Sequence, residues 1–215
     1  MATYVYKLTS DNGGAPCVMG HVLSLALCKP IIRCKADQGS WIFGFAANSL
    51  RISHPGNRLI YVARVDKSLP GSEYYADDSE YRRRPDCIYR PVHEGFEWRK
   101  GSAFHLNGAQ MDHDLGSAHA GFDRARVLIS TEFRYFGREG QSLTPSAPTL
   151  RNLLNRLTQG HRTNFDSPTL LALEELKHDA FSLAGLPMAP VVRDSGTRCG
   201  SSCKRGLASN DGECM

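Results

Sequence analysis

"HVLSLALCKPIIRCKADQGSWIFGFAA", residues 21–47, decides the kind of fold this chain adopts. "HVLSLALC" (21–28) is apolar at most positions and reads as a buried strand that Pro30 ends. "SWIFGFAA" (40–47) reads as another strand, interrupted by Gly44 as happens at a sharp bend or where something approaches the backbone closely. Between them, "IIRCKADQG" (31–39) suits a short helix or turn closed by Gly39. That connection is shorter than the crossover of about a dozen residues that joins parallel strands in a doubly wound sheet. The stretch therefore points to an α+β layout.

The flanking sequence agrees. "TYVYKL" (3–8) alternates aromatic or β-branched residues with polar ones, a half-buried strand. The turn signal "SHPGN" (53–57) leads into "RLIYVARV" (58–65), and "GFEWRK" (95–100) and "RVLISTEFRYFG" (126–137) also have strand character. Residues 70–84, "PGSEYYADDSEYRRR", read as a solvated helix carrying Tyr74, Tyr75 and Tyr81 and ending in the charges of Arg82, Arg83 and Arg84. Beyond Gly140, "SAPTLRNLLNRLTQG" (146–160) puts Leu150, Leu153, Leu154 and Leu157 on one helical face, with Pro148 near its start. "DSPTLLALEELKHDAF" (166–181) repeats the design, with Ser167 as N-cap and Pro168 at the first helical position. The expected fold is α+β. It has a small, strongly bent, mostly antiparallel sheet or open barrel, short helices between strands, and a C-terminal helical hairpin over about 146–181. One domain is expected over 1–184. Residues 185–215, rich in Gly, Ser and Pro without periodicity, are expected to be a flexible tail.

Composition sets wide bounds. With 215 residues, 41% hydrophobic and 22% charged, the chain can bury a real core as an ordinary globular protein. No apolar run approaches the roughly 20 residues that span a bilayer, so no membrane partner is expected. The opening "MATYVYKLTS" lacks a basic region before an apolar core, which favours a cytoplasmic protein. The net charge of +4 is mildly basic. It permits nucleic-acid contact without the footprint of a domain whose pI exceeds about 9. Seven cysteines, an odd number, read as reduced thiols in that compartment. Cys199 and Cys203, with only Cys214 beyond, fall short of a zinc-ligand set. The chain has no G-x-x-x-x-G-K-[ST], no G-x-G-x-x-G after a strand, no H-E-x-x-H and no G-x-S-x-G. The common NTPases, dinucleotide dehydrogenases, zinc proteases and α/β-hydrolases are thereby disfavoured.

Chemistry-bearing side chains gather around the end of the second strand. Lys29 and Arg33 flank it on one side; were a helix to begin at 31, its N–H groups and the two cations would converge on an anion. The competing reading is two solvated charges. Asp11 and Asn12, in the glycine-rich "SDNGGAP" loop, are placed to receive the hydrogen-bonding edge of a base or to close an Asx-turn. Cys28 is a nucleophile if its cationic neighbours lower its pKa, and otherwise a buried structural thiol. Trp41, Tyr135 and Phe136 are candidates to stack on a nucleobase, or core; Trp98 is a weaker one. "HLNGAQMDHDLGSAHAGFD" (105–123) is a long polar loop of the kind that is functional or mobile. It crowds His105, Asp112, His113, Asp114, His119 and Asp123 together. Asp112, His113 and His119 suit zinc or iron(II), but their spacing matches no motif, and no metal site is assigned.

Taken in order, "SDNGGAPC", "LALCKPIIR", "GSWIFGF", "LIYVARV", "SEYY" and "FRYFG" resemble the nucleotide-modification-associated domain family, second type, over roughly residues 1–165. The resemblance implies a role in nucleotide modification or DNA base hypermodification, in bacterial or phage systems, as an enzyme or as a recognition module. The family's motif positions fall on Asp11, Ala15, Pro16, Cys28, Lys29, Pro30, Arg33, Gly39, Trp41, Gly44, Tyr135, Phe136 and Gly137. Ser40 departs from the pattern, which implies an acid there.

Two functions follow as expectations. In the first, an enzyme acts on a modified base or nucleotide: Asp11 serves as acid/base, Cys28 as nucleophile, and Lys29 and Arg33 hold phosphate. In the second, a non-catalytic reader binds a modified base in an aromatic pocket of Trp41, Tyr135 or Phe136, with Asp11 or Asn12 reading its edge. A structural or partner-binding protein with no ligand is the third. The partner in the first two is a nucleotide or DNA containing a modified base. No cofactor is identified, and the oligomeric state is not legible.

Overall fold

Tyr4, Tyr6 and Leu8 alternate with Val5 along the first strand, and the two sets enter different cores. A computed structural model describes residues 1–48, 57–137, 143–158 and 160–183. In chain order it contains β1 (Thr3–Leu8), β2 (Cys17–Met19), β3 (Val22–Leu25), α1 (Pro30–Lys35), β4 (Trp41–Ala46), β5 (Leu59–Arg64) and β6 (Lys67–Pro70). There follow α2 (Gly71–Tyr74), β7 (Tyr89–Val92), β8 (Gly95–Trp98), α3 (Met111–Leu115), β9 (Arg126–Ser130) and β10 (Phe133–Tyr135). The last elements are α4 (Pro148–Arg156), β11 (His161–Arg162) and α5 (Ser167–Ser182).

The strands form a five-stranded sheet in the order β10-β5-β4-β1-β11, a four-stranded sheet β2-β3-β9-β6, and the hairpin β7-β8. The pairing of β1 with β4 is parallel and the others are antiparallel. The α+β class and the mostly antiparallel, unclosed character stand, but the strands divide between two main sheets rather than one bent sheet. The first core lies between those two sheets, where Tyr4, Tyr6, Leu8, Ile42 and Ile60 meet Val18, Leu23, Leu25 and Leu128. On the opposite face of the larger sheet, Val5, Phe43, Phe45 and Val62 are covered by Leu150, Leu154, Leu173 and Leu176 of α4 and α5. A third core uses the other face of the smaller sheet: Val127 and Ile129, alternating with Leu128, pack with Tyr74, Tyr75, Tyr89, Phe104 and Leu115. Each such side chain contributes about 1.5–3 kcal/mol by leaving water, so the smaller sheet is held from both sides.

Gly44 has a steric reason to be glycine. A Cβ there would lie 2.3 Å from the Tyr61 ring. The bare backbone lets Tyr61 lean across β4 so that its hydroxyl reaches that of Tyr6 at 2.9 Å.

Four expectations need correction. Residues 71–74 form a single helical turn, and Tyr74, Tyr75 and Tyr81 are buried rather than solvated, because the sheet-facing side of this segment closes the third core. Arg82 and Arg83 are exposed, but Arg84 is buried and paired with Asp86. The N-cap of α5 is Asp166, whose carboxylate accepts the Thr169 N–H at 3.0 Å, one residue before the expected Ser167. The connection between α4 and α5 carries β11, which pairs with β1, so it is more than a hairpin loop. Residues 185–215, expected to be a flexible tail, and most of the "SHPGN" turn lie outside the described residues. Among the described residues no helix is long and apolar enough to cross a membrane.

Candidate functional site

After β3 the chain buries Ala26 and Leu27 in the third core, then turns abruptly. Cys28 (φ 55°) and Lys29 (φ 46°) are both left-handed, and α1 starts at Pro30. Two successive non-glycine residues in that region cost about 1–3 kcal/mol each, so the turn persists only if its surroundings hold it. They hold both backbone polar groups of Cys28. Its N–H donates to Asp114 Oδ1 at 2.7 Å, and its carbonyl accepts from Arg33 Nε at 2.7 Å. The fully buried Arg33 also donates to the carbonyls of Arg124, Arg126 and Asp114. One guanidinium thus ties the strand-to-helix elbow to the 105–123 loop and to the start of β9. Every contact described for it is to a backbone carbonyl, which gives Arg33 a clamping role where an anion-binding one was expected.

The same loop delivers the partners of the Cys28 thiol. Sγ lies 3.8 Å from His105 Nε2, and His105 Nδ1 lies 2.6 Å from Asp114 Oδ2. Tyr89 donates its hydroxyl to that carboxylate oxygen at 2.8 Å. His105 and Asp114 side chains are 3% and 0% exposed, whereas Cys28 is half-buried at the surface end of the series. An Asp114 carboxylate accepting from Nδ1–H makes Nε2 the nitrogen that faces the thiol. His105 is itself left-handed (φ 48°) and is seated by its neighbour. The Phe104 ring packs over Gly14, where a Cβ would stand 3.1 Å away, and Trp98 Nε1–H donates to the Phe104 carbonyl at 3.3 Å. Thiol, imidazole and orienting carboxylate in line are the parts of an activated nucleophile. A 3.8 Å S···N separation is normal for such a pair before substrate binds.

A second group adjoins this one. Asp11 is buried, and the Tyr135 hydroxyl reaches both its carboxylate oxygens at 2.9 Å. Tyr6 connects the two groups. Lys29 Nζ stands 5.1 Å from the centre of its ring. Burial foremost, then Tyr61, Asp11 and Cys28, push the Tyr6 hydroxyl well above its ordinary range. Buried Arg58 completes the Asp11 side by donating to the Gly137 carbonyl. Burial lowers its pKa, while Asp11 and Tyr135 work in the opposite direction. The structure therefore brings Asp11, Tyr135, Cys28 and Lys29 around one tyrosine.

Other candidates lie elsewhere. Asn12 Oδ1 accepts the Gly14 N–H at 3.2 Å and closes the turn. Phe136 belongs to the core beneath the C-terminal helices, and the half-buried Trp41 packs against that core. The Trp41 ring meets Phe181 edge-on at 5.9 Å and lies under Lys177 Nζ at 4.5 Å. Ser40 is buried, and its hydroxyl has no hydrogen-bond partner among the described residues. Asp112 and His119 are exposed, and among the described residues no group of three His, Cys, Asp or Glu side chains is placed to hold a metal ion. Cys17, Cys28 and Cys87 are reduced thiols, whereas Cys34 is disulfide-bonded, against the expectation for all seven. His105 and Asp114 were in view as members of a crowded loop. Their pairing with Cys28 was not, because nothing in the spacing separates them from His113, His119 or Asp112.

The comparisons with known proteins bear on this site. No curated protein and no solved structure matches the chain. A family model does, over residues 1–189, a span that includes every residue of the site just described. The chain therefore belongs to the nucleotide modification associated domain 2 family.

Proposed function

We propose that the protein is an enzyme acting on a nucleotide, or on a modified base of DNA, by covalent catalysis at Cys28. The observation that carries this reading is the alignment of the Cys28 thiol with His105 and Asp114 on a left-handed elbow. A buried structural cysteine needs no imidazole held against it by a carboxylate, and no left-handed backbone. The family supports nucleotide chemistry as the setting; a bacterial or phage cytoplasm is the compartment the proposal assumes. Lys29, beside the thiol, is suited to a phosphate, and the Asp11–Tyr135 pair to the polar edge of a base. The reader alternative has less support, since Phe136 is taken up by the core under the C-terminal helices and the half-buried Trp41 ring is engaged by Phe181 and Lys177.

The test is thiol reactivity followed by product analysis. Iodoacetamide is expected to label Cys28 ahead of buried Cys17 and Cys87, and His105→Ala to slow that labelling. Incubation with nucleotides and DNA carrying modified bases is expected to change their mass with wild type and not with Cys28→Ala. Labelling of Cys28 no faster than that of the two buried thiols would defeat the reading.

A further inference from the structure

We infer that the reaction at Cys28 is acyl transfer, and that the substrate carries its acyl group on a base through an amide or ester bond. This rests on the covalent role proposed above and specifies its chemistry. Three features on the elbow point the same way. The first is the proton carrier: His105 bridges Sγ and Asp114, so a proton taken from sulfur can be returned to something else. Conjugate addition of a thiol to a ring double bond places the proton on the ring itself and releases no group, and oxidation of a thiol does not use a returnable proton. An amide or ester has a leaving nitrogen or oxygen that needs one.

The second is the strand–turn–helix shape, which lifts the sulfur out of the core on a left-handed residue, as nucleophile elbows do. The third is the amide next in sequence. The Cys28 N–H is committed to Asp114, but the Lys29 N–H makes no hydrogen bond among the described residues. Pro30 after it has no N–H to compete. The amide following a nucleophile on such an elbow is the one that meets the developing oxyanion.

The step balances without any further reagent. Cys28 Sγ passes its proton to His105 Nε2 and bonds to the acyl carbon. The bond from that carbon to nitrogen or oxygen breaks, and the departing amine or hydroxyl leaves with the proton from His105. The acyl group remains on Cys28 as a thioester. Water then gives a proton to His105 and adds to the carbonyl, the C–S bond breaks, and the sulfur regains its proton. The net change is one amide or ester plus water to one amine or alcohol plus one carboxylic acid.

The experiment uses the full chain with p-nitrophenyl acetate and with N4-acetylcytidine 5′-monophosphate, alongside iodoacetamide labelling of the same preparations. With the ester, a burst of nitrophenol matching the protein concentration is expected, with one acetyl on Cys28 that neutral hydroxylamine removes. His105→Ala is expected to slow the burst by about 100-fold or more and to flatten its dependence on pH; circular dichroism of the variant checks that it is folded. Deacetylation of the acetylcytidine nucleotide, lost in Cys28→Ala, identifies the base-linked acyl group. Cys28 that alkylates in a His105-dependent way but forms no hydroxylamine-labile adduct overturns acyl transfer and leaves the covalent role intact. Cys28 that does not alkylate overturns both. Acylation by the ester without turnover of the nucleotide overturns the base-linked substrate alone.

Discussion

Two aspartates are fully buried among the described residues, and they do different work. Asp86 accepts hydrogen bonds from Ser24 and Tyr74 and lies 3.6 Å from Arg84 Nε. The Arg84 guanidinium continues to the carbonyls of Cys17, Met19 and Val22. Burial pushes the Asp86 carboxyl above its ordinary range despite the opposing pull of Arg84. The network begins and ends inside the protein, and it ties the segment after α2 to β2 and β3. Asp114 is equally buried, but its partners are Tyr89, the Cys28 N–H and His105, and through His105 the chain of contacts reaches a half-buried sulfur. Burial of a carboxylate therefore marks a costly position in the fold. A catalytic one also needs a reactive atom that something outside can reach.

The contrast can be broken most sharply at His105. Replacing it with Ala is expected to slow Cys28 alkylation by about 100- to 10,000-fold in the folded fraction, with a loss of about 1–3 kcal/mol in urea unfolding because the buried Asp114 carboxylate loses its imidazole partner. An unfolded variant with unchanged alkylation per folded molecule would make His105 a structural residue like Tyr74. The converse change is Asp86→Ala, which leaves the Arg84 charge buried without its carboxylate. A loss of about 3–5 kcal/mol is expected in urea unfolding, with Cys28 alkylation in the folded fraction within about twofold of wild type. An equal collapse of alkylation would show that the two networks cannot be separated.

A finer test is Gly14→Ala, which drives a methyl against the Phe104 ring. About 1–3 kcal/mol of destabilisation is expected from the overpacking, with slower alkylation because Phe104 seats His105. Stability loss alone would disconnect the glycine loop from the thiol site.

The smallest effect concerns pH. Burial foremost, then Arg162 and Lys29, hold the His161 imidazole below its ordinary range. Its folded-state pKa lies below the unfolded value of about 6.5, so the unfolded chain binds the extra proton first. The contribution of this group is present above that unfolded value and is lost as pH falls through the lowered one. His161→Gln is expected to reduce the slope of stability against pH over that acid interval, read by thermal melts. An unchanged slope would place the titration elsewhere.

Strand periodicity, the short connection through α1, and the leucine stripes of α4 were legible from the chain because they are local. A strand or helix announces the face it buries within a few residues. The rank of Asp11, Cys28 and Lys29 as candidates also came from local composition at the end of one strand. The misread positions were those where a non-local partner changed the environment. Tyr74, Tyr75, Tyr81 and Arg84 looked solvated until β3 and β9 closed over them. Arg33 looked like an anion ligand until four backbone carbonyls took its donors. Trp41 looked like a stacking platform until α5 covered it. Only the tertiary structure chose His105 and Asp114 from a loop with six comparable side chains. That choice depends on which of them the Arg33 clamp, Tyr89 and the Phe104 ring bring to Cys28, and distances across 77 and 86 residues of sequence leave no trace in its spacing.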